Sequence, residues 1–352
     1  MKNIKKMILA LVSLCCLGAC SKNSSDGKLK VVVTIFPEYD WVQNILGDKA
    51  GEASITLLLD NGVDLHSYNP SVQDMAKLSA ADLFIYAGGE SDGWVEDALK
   101  SVKNKDIKTI SLLEVLGDRA KEEESVEGMQ EEDHHHHEGE DHHEGEDHHD
   151  DEHDHEGKDE HHHEDEHHHE DEHEYDEHVW LSLKNARILC QAITKVLCTI
   201  DEKNADSYKA NFAAYSEKLS SLDTKYEETV KNAACKTLLF GDRFPFRYLT
   251  DDYGLSYYAA FAGCSAETEA SFKTIAFLSA KTDELSLPAV CQIESGNGKI
   301  AETIIQNTKA KKAKVLTLDS MQSTTKADIA NGTSYLSIMQ KNLEVLKEAL
   351  GE

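Results

Sequence analysis

The chain has 352 residues, enough for two ordinary domains with a sizeable core, and a formal net charge of −30. Of that charge, −24 falls between Glu131 and Glu177, where 25 acidic residues face one base, Lys158, so the rest is an ordinary mildly acidic surface. No basic patch stands out to neutralise phosphates, which argues against a nucleic-acid partner and for a cation.

Residues 1–19 read as a secretory signal peptide. Three lysines lie within Met1–Lys6, Met7–Leu17 is nearly all apolar, and small residues precede a cysteine. The apolar run is shorter than the roughly 20 residues a transmembrane helix needs. Leu17-Gly18-Ala19-Cys20 resembles a bacterial lipobox, which implies cleavage before Cys20 and lipid on its sulfur; an ordinary signal peptide with an incidental cysteine is the alternative. Residues 20–27 then form a lipidated, flexible tether. No later segment is apolar enough to span a bilayer, so the mature protein is expected to be extracytoplasmic and anchored to the cell membrane.

An N-terminal lobe is expected over 28–118. Lys28–Phe36 is a β-branched run suited to a strand buried on both faces. A helix over Tyr39–Leu46 stops at Gly47, and Ser54–Leu59 is a second strand before the turn-rich loop Asp60–Pro70. Helix Val72–Ser79, strand Asp82–Tyr86 ending in Gly88-Gly89, helix Trp94–Val102 and strand Lys108–Ser111 follow. Strands alternating with helices predict a parallel, helix-covered sheet.

Apolar periodicity vanishes over 119–177, which is built from His, Glu, Asp and Gly and cannot bury enough surface to offset ordering entropy; disorder is expected there. Periodicity returns at His178, and 178–233 should complete the first lobe and supply a linking helix. Asn185–Ile200 is helical, and Ala205–Asn232 is a long uninterrupted helix with a stripe at Tyr208, Phe212, Tyr215, Leu219 and Leu222. A C-terminal lobe is expected over 234–352. Its strands are Thr237–Phe240, Ser256–Phe261, Ala289–Ile293 and Lys314–Leu318, and its helices Phe246–Asp252, Ser271–Lys281, Ile300–Thr308 and Tyr335–Leu350. The fold class is therefore α/β: two parallel-sheet lobes, a long helix between them and a disordered insert.

Eighteen of the nineteen histidines lie between His134 and His178. Those before His178 are His134, His135, His136, His137, His142, His143, His148, His149, His153, His155, His161, His162, His163, His167, His168, His169 and His173, each block flanked by carboxylates. Imidazole suits zinc, copper and nickel, so the insert is expected to hold metal at several weak or moderate accessory sites. Of the cysteines, Cys190, Cys198, Cys235, Cys264 and Cys291 remain after the signal and anchor; none forms a CxxC pair, and buried free thiols are the expected state of most. The isolated His66 follows the strand Ser54–Leu59, at the carboxyl edge where open parallel sheets bind ligands.

Gly62…His66-Ser67-Tyr68…Pro70, Asp82-Leu83 and Trp94 resemble the first lobe of the bacterial zinc/manganese-binding lipoproteins that feed ABC importers, the cluster A-I group. The likeness continues at His178-Val179-Trp180-Leu181, Asp252-Tyr253-Gly254-Leu255, Glu267–Ser271 and Tyr335–Leu346, and covers nearly all of 28–350. It implies two lobes joined by a rigid helix, one metal in the cleft between them, and His66 and His178 as its first two ligands. The family's usual third ligand position falls on Arg243, which stays protonated and cannot coordinate. Asp242 is the substitute candidate, Glu294 matches the family's late acidic residue most nearly, and Glu267 and Glu269 are weaker alternatives.

These residues predict a monomeric lipoprotein that captures Zn²⁺ and delivers it to an ABC permease. Imidazole favours zinc over the manganese that oxygen ligands suit. A surface metal buffer or adhesin-like lipoprotein without transport is the competing reading. No HExxH, GxSxG or other catalytic constellation occurs, so an enzyme is not expected.

Overall fold

The structure, a computed structural model, describes residues 27–130, 174–265 and 269–352. Each lobe is built on a four-stranded parallel sheet. In the first, β1 (Leu29–Val33), β2 (Ala53–Leu57), β3 (Leu83–Tyr86) and β4 (Lys108–Ser111) lie in the order β2-β1-β3-β4. In the second, β5 (Thr237–Arg243), β6 (Ser256–Phe261), β7 (Ala289–Ile293) and β8 (Lys314–Leu318) lie in the equivalent order β6-β5-β7-β8. The central strands earn their place by composition: Val31, Val32 and Val33 of β1 are buried, as are Leu238, Leu239 and Phe240 of β5.

The first strand is shorter than its apolar run suggests. It ends at Val33, and α1 (Phe36–Leu46) begins where a strand was expected. Glu38 causes the turn: its Oε2 accepts hydrogen bonds from the Thr34 and Ile35 backbone N–H at 2.8 and 3.2 Å, satisfying amides that precede the helix. Helices α2 (Val72–Leu78) and α3 (Trp94–Ser101) match expectation closely. Two five-residue helices, α4 (Leu112–Leu116) and α10 (Lys326–Ala330), are too short to show periodicity in sequence. The second lobe is completed by α7 (Arg247–Tyr253), α8 (Phe272–Glu284), α9 (Lys299–Asn307) and α11 (Tyr335–Ala349).

Between the lobes run α5 (Leu183–Ile200) and α6 (Ala205–Asn232). With 28 residues, α6 is about 42 Å long. It buries Tyr208, Tyr215, Leu219, Leu222, Tyr226 and Val230, while Phe212 is only partly buried. Its two ends fasten different lobes. The Asn211 amide donates to Ile45 O at 3.0 Å and the Tyr215 hydroxyl to Asp40 Oδ2 at 3.2 Å. Further along, the Tyr226 hydroxyl donates to Met339 O at 2.6 Å, and Asp223 accepts from the Tyr253 hydroxyl at 2.9 Å. One continuous apolar core runs from β1 through α5 and α6 into β5 and α11; a smaller one lies under α8 and α9. Trp180, fully buried, donates from its indole N–H to Ser320 O at 2.9 Å, and its own carbonyl accepts from the Tyr335 hydroxyl at 2.7 Å. Among the described residues no helix is long and apolar enough to cross a membrane.

The expectation that 119–177 lacks structure fails at both ends. Glu122 and Tyr175 pair as an antiparallel bridge, and the Asp176 N–H donates to Lys121 O at 2.8 Å. The Tyr248 hydroxyl accepts from the Lys121 N–H and donates to Asp176 O, both at 2.9 Å, while the Gln130 N–H donates to Ala260 O at 2.9 Å. The two ends pair with each other and with Tyr248 and Ala260 of the second lobe, so no local periodicity announces them. The signal, Cys20, the histidines from His134 to His173 and Glu267 lie outside the described residues.

Burial pushes the Glu38 carboxyl up from 4.5 to about 8, so the folded state holds its proton where the unfolded chain has lost it. Its contribution to stability is complete below pH 4.5 and is lost as pH rises toward 8. Glu38→Gln, which mimics the protonated acid, is expected to flatten that part of the pH–stability profile in urea denaturation.

Candidate metal centre

His66 sits in a single helical turn, Leu65–Ser67, just past the carboxyl end of β2. Buried Leu65 anchors the turn, and Asp64 caps it by accepting the His66 N–H at 3.1 Å. His178 precedes a second such turn, Val179–Leu181, and is fully buried. Asp176 Oδ1 accepts both the His178 backbone N–H, at 2.8 Å, and its ring Nδ1–H, at 2.9 Å. On the other ring, His66 Nδ1 lies 2.7 Å from Ser91 Oγ and 3.7 Å from Glu177 Oε2. Glu177 is itself placed by the Ser91 N–H, 2.8 Å from its Oε1. Gly89 makes that approach possible: its φ is +84°, and a Cβ there would lie 2.5 Å from Glu177 Oε1.

With both Nδ1 atoms engaged, the two Nε2 atoms are left facing each other at 3.3 Å, their rings 5.2 Å apart. Asp176 beside Nδ1 orients the His178 ring and leaves its Nε2 directed at the Nε2 of His66. At this distance one proton or one cation lies between the two nitrogens. Zinc–nitrogen bonds of about 2.0–2.1 Å at a tetrahedral angle set two nitrogens about 3.3 Å apart. The dihistidine therefore fits one tetrahedral ion without rearrangement.

Burial, then the neighbouring His178 and Arg243, lowers His66 to about 4, so its ring is neutral at neutral pH. Burial also opposes charge on His178, but the Asp176 carboxylate, with Glu177 and Asp64, outweighs it and holds the ring above its ordinary value. Burial raises Glu177 to about 7.

The second lobe meets this pair across a cavity of about 290 Å³ lined by Asp64, His66 and Ser67 on one side and Asp242, Arg243 and Gly296 on the other. Strand β5 continues past the expected Phe240, with a register shift there, and carries Asp242 and Arg243 to this wall. Arg243 donates to Asp64 Oδ2 at 2.6 Å, an ion pair between the lobes. It holds the Asp64 carboxyl below the usual range despite burial. The nominated carboxylates Asp242 and Glu294 have internal partners. Asp242 accepts the Arg243 and Ile293 N–H groups at 2.9 and 3.2 Å. Glu294 accepts the Ser320, Gln322 and Ser323 N–H groups at 2.7, 3.1 and 3.2 Å, plus the hydroxyls of both serines, and so caps the loop after β8. Glu269 is exposed, and among the described residues only its backbone carbonyl is engaged, by the Gln130 side-chain amide at 3.4 Å. The structure brings none of these three into the histidine pair. Instead, among the described residues, the one group of ligating side chains is His66, His178 and Cys264, whose ligand atoms all lie within 4.8 Å of one another. Cys264 escaped the sequence reading because it has no CxxC partner; its position in the loop after β6 was the only available signal.

Paired parallel-sheet lobes of equivalent strand order, with ligating side chains from both meeting in the crevice, define a two-lobed ligand-binding protein. Residues 31–349 match the family described as ZnuA, zinc-uptake complex component A, periplasmic, and the chain belongs to that family. The zinc-binding lipoprotein AdcA of Streptococcus pneumoniae is 33% identical over 98% of this chain and 61% of its own length. The high-affinity zinc uptake system protein ZnuA of Bacillus subtilis is 30% identical over 97% of this chain and 94% of its own. The solved Zn(II)-bound ZnuA-like domain of Streptococcus pneumoniae AdcA superposes with a TM-score of 0.65 at 27% identity, covering 93% of this chain and all of that domain. The chain thus spans about three fifths of the length of its streptococcal relatives.

Removing the Asp176 charge takes away the largest group that opposes burial at His178, leaving Glu177 and Asp64. In Asp176→Asn, the His178 ring is expected to titrate below its parent value in an NMR titration.

Proposed function

We propose that this chain is the extracytoplasmic capture component of an ABC-type zinc importer, and that it binds Zn²⁺ between its lobes through His66 and His178. The observation that carries the proposal is the opposition of two Nε2 atoms at 3.3 Å, the separation a tetrahedral zinc ion sets. Imidazole ligation favours zinc over manganese, as do the names of the relatives above. The family description, a zinc-uptake complex component, supports a membrane permease as the partner that receives the ion. Lipid on Cys20 would hold the protein at the membrane beside it. Binding and release, rather than catalysis, is the task this site suits.

The histidines of 131–173 join the fold just ahead of Asp176 and His178. Metal held on that segment stays tethered to the cleft, which raises its effective concentration there without any new contact.

Calorimetry on a variant lacking 131–173 isolates the cleft; residues 174–177 are kept because Asp176 and Glu177 brace the histidines. His66→Ala with His178→Ala is expected to weaken the tightest zinc-binding event by more than the roughly 10–100-fold that loss of a supporting partner costs. An unchanged tightest site in the folded double variant would sink the assignment.

A further inference from the structure

We propose that Cys264 supplies the third protein ligand as a thiolate, making the cleft a His₂Cys centre selective for thiophilic divalent cations. This rests on the reading that the cleft captures metal, and it deepens that reading by naming what replaces the ligand lost at Arg243.

The geometry has three independent parts. First, the Cys264 sulfur lies within 4.8 Å of one ring nitrogen of each of His66 and His178. The His178 ring is fully buried, and among the described residues its Nε2 meets the opposing His66 Nε2. Second, the loop carrying Cys264 is built to approach. A Cβ at the preceding Gly263 would lie 2.9 Å from Phe244 O and 3.3 Å from the His178 ring, so only glycine lets the chain pass this close. The Cys264 N–H is then pinned by Glu123 Oε1 at 3.0 Å, and Arg243 reaches the neighbouring Ser265 carbonyl at 3.4 Å. Third, the topology pairs the ligands. β2 and β6 occupy the same edge position in their sheets, and the chain leaving each delivers one ligand, His66 from the first and Cys264 from the second.

Zinc accepts thiolate at about 2.3 Å beside imidazole at about 2.0–2.1 Å, so tetrahedral ligation sets sulfur and nitrogen about 3.6 Å apart. The loop closes by at most about an ångström to reach that distance. On binding, the sulfur gives its proton to solvent and its electron pair to the ion. Two nitrogens and one sulfur leave a fourth position for water, an arrangement that permits exchange. A soft thiolate favours zinc or cadmium and disfavours manganese, whose preference is for oxygen.

Cobalt(II) titration of the full chain tests this directly, because histidines and carboxylates give no sulfur-to-cobalt charge-transfer absorption. The parent is expected to show that near-ultraviolet band. Cys264→Ser is expected to lose it, to bind zinc in the cleft about tenfold or more weakly, and to discriminate less between cadmium and manganese. Cys264→His should restore zinc affinity without restoring the band, and Cys198→Ser should keep both. If cobalt binding that depends on His66 and His178 produces no sulfur band, Cys264 is not a ligand and zinc capture by the histidines stands. If the His66→Ala, His178→Ala variant keeps both the band and the affinity, the cleft assignment falls and this proposal with it.

Discussion

Two imidazole nitrogens are held 3.3 Å apart by groups that leave neither ring free to turn away. Asp176 fastens one ring and Ser91 the other; Glu177 lies beside His66 and is fastened in turn by the Ser91 amide. Bringing two ionisable rings together away from water is unfavourable, and the surrounding fold must offset it. Full burial of His178, packing of Trp180 5.2 Å from its ring, and the open backbone at Gly89 are the parts of the structure that do so. The site is organised before an ion arrives, so little ordering remains to oppose capture.

The second lobe changes the chemistry of the crevice more than its shape. Where the family places a ligand, Arg243 contributes a permanent positive charge, and it is neutralised by Asp64 from the opposite lobe. That pairing takes a carboxylate out of competition for metal. In the reading proposed above, ligation falls to the two histidines and to the neighbouring loop after β6.

Sequence made the framework legible because long-range order there follows from local pattern. The β-branched run of β1, the 28-residue helix α6 and the alternation of strands and helices all carry their own periodicity. His66 stood out by isolation and His178 by the motif around it. Asp242 and Glu294 were nominated by chain position, but whether a carboxylate is free depends on the amides that fold against it, and both accept several. Cys264 was hidden for the converse reason. Its partners are distant in sequence, and a glycine at 263 reads as an ordinary turn until the His178 ring is seen behind it. The hem at 120–130 was likewise invisible, since Tyr248 and Ala260 supply its hydrogen bonds from another lobe.

The shared core bears on how an ion enters and leaves. Trp180, Tyr335 and Ser320 weld the lobes at the floor of the crevice, and the apolar cluster beneath is continuous from β1 to α11. Swinging the lobes apart would expose a fully buried tryptophan and break two buried hydrogen bonds, each worth about 1 kcal/mol. Mechanically the molecule is one block rather than a jaw. In the proposed zinc capture, exchange then proceeds through its small parts: the single turn carrying His66, the loop of 262–265, and the Arg243–Asp64 pair at the rim. The distances travelled are those of side chains and loops, and the timescale is that of local fluctuation rather than of domain rotation.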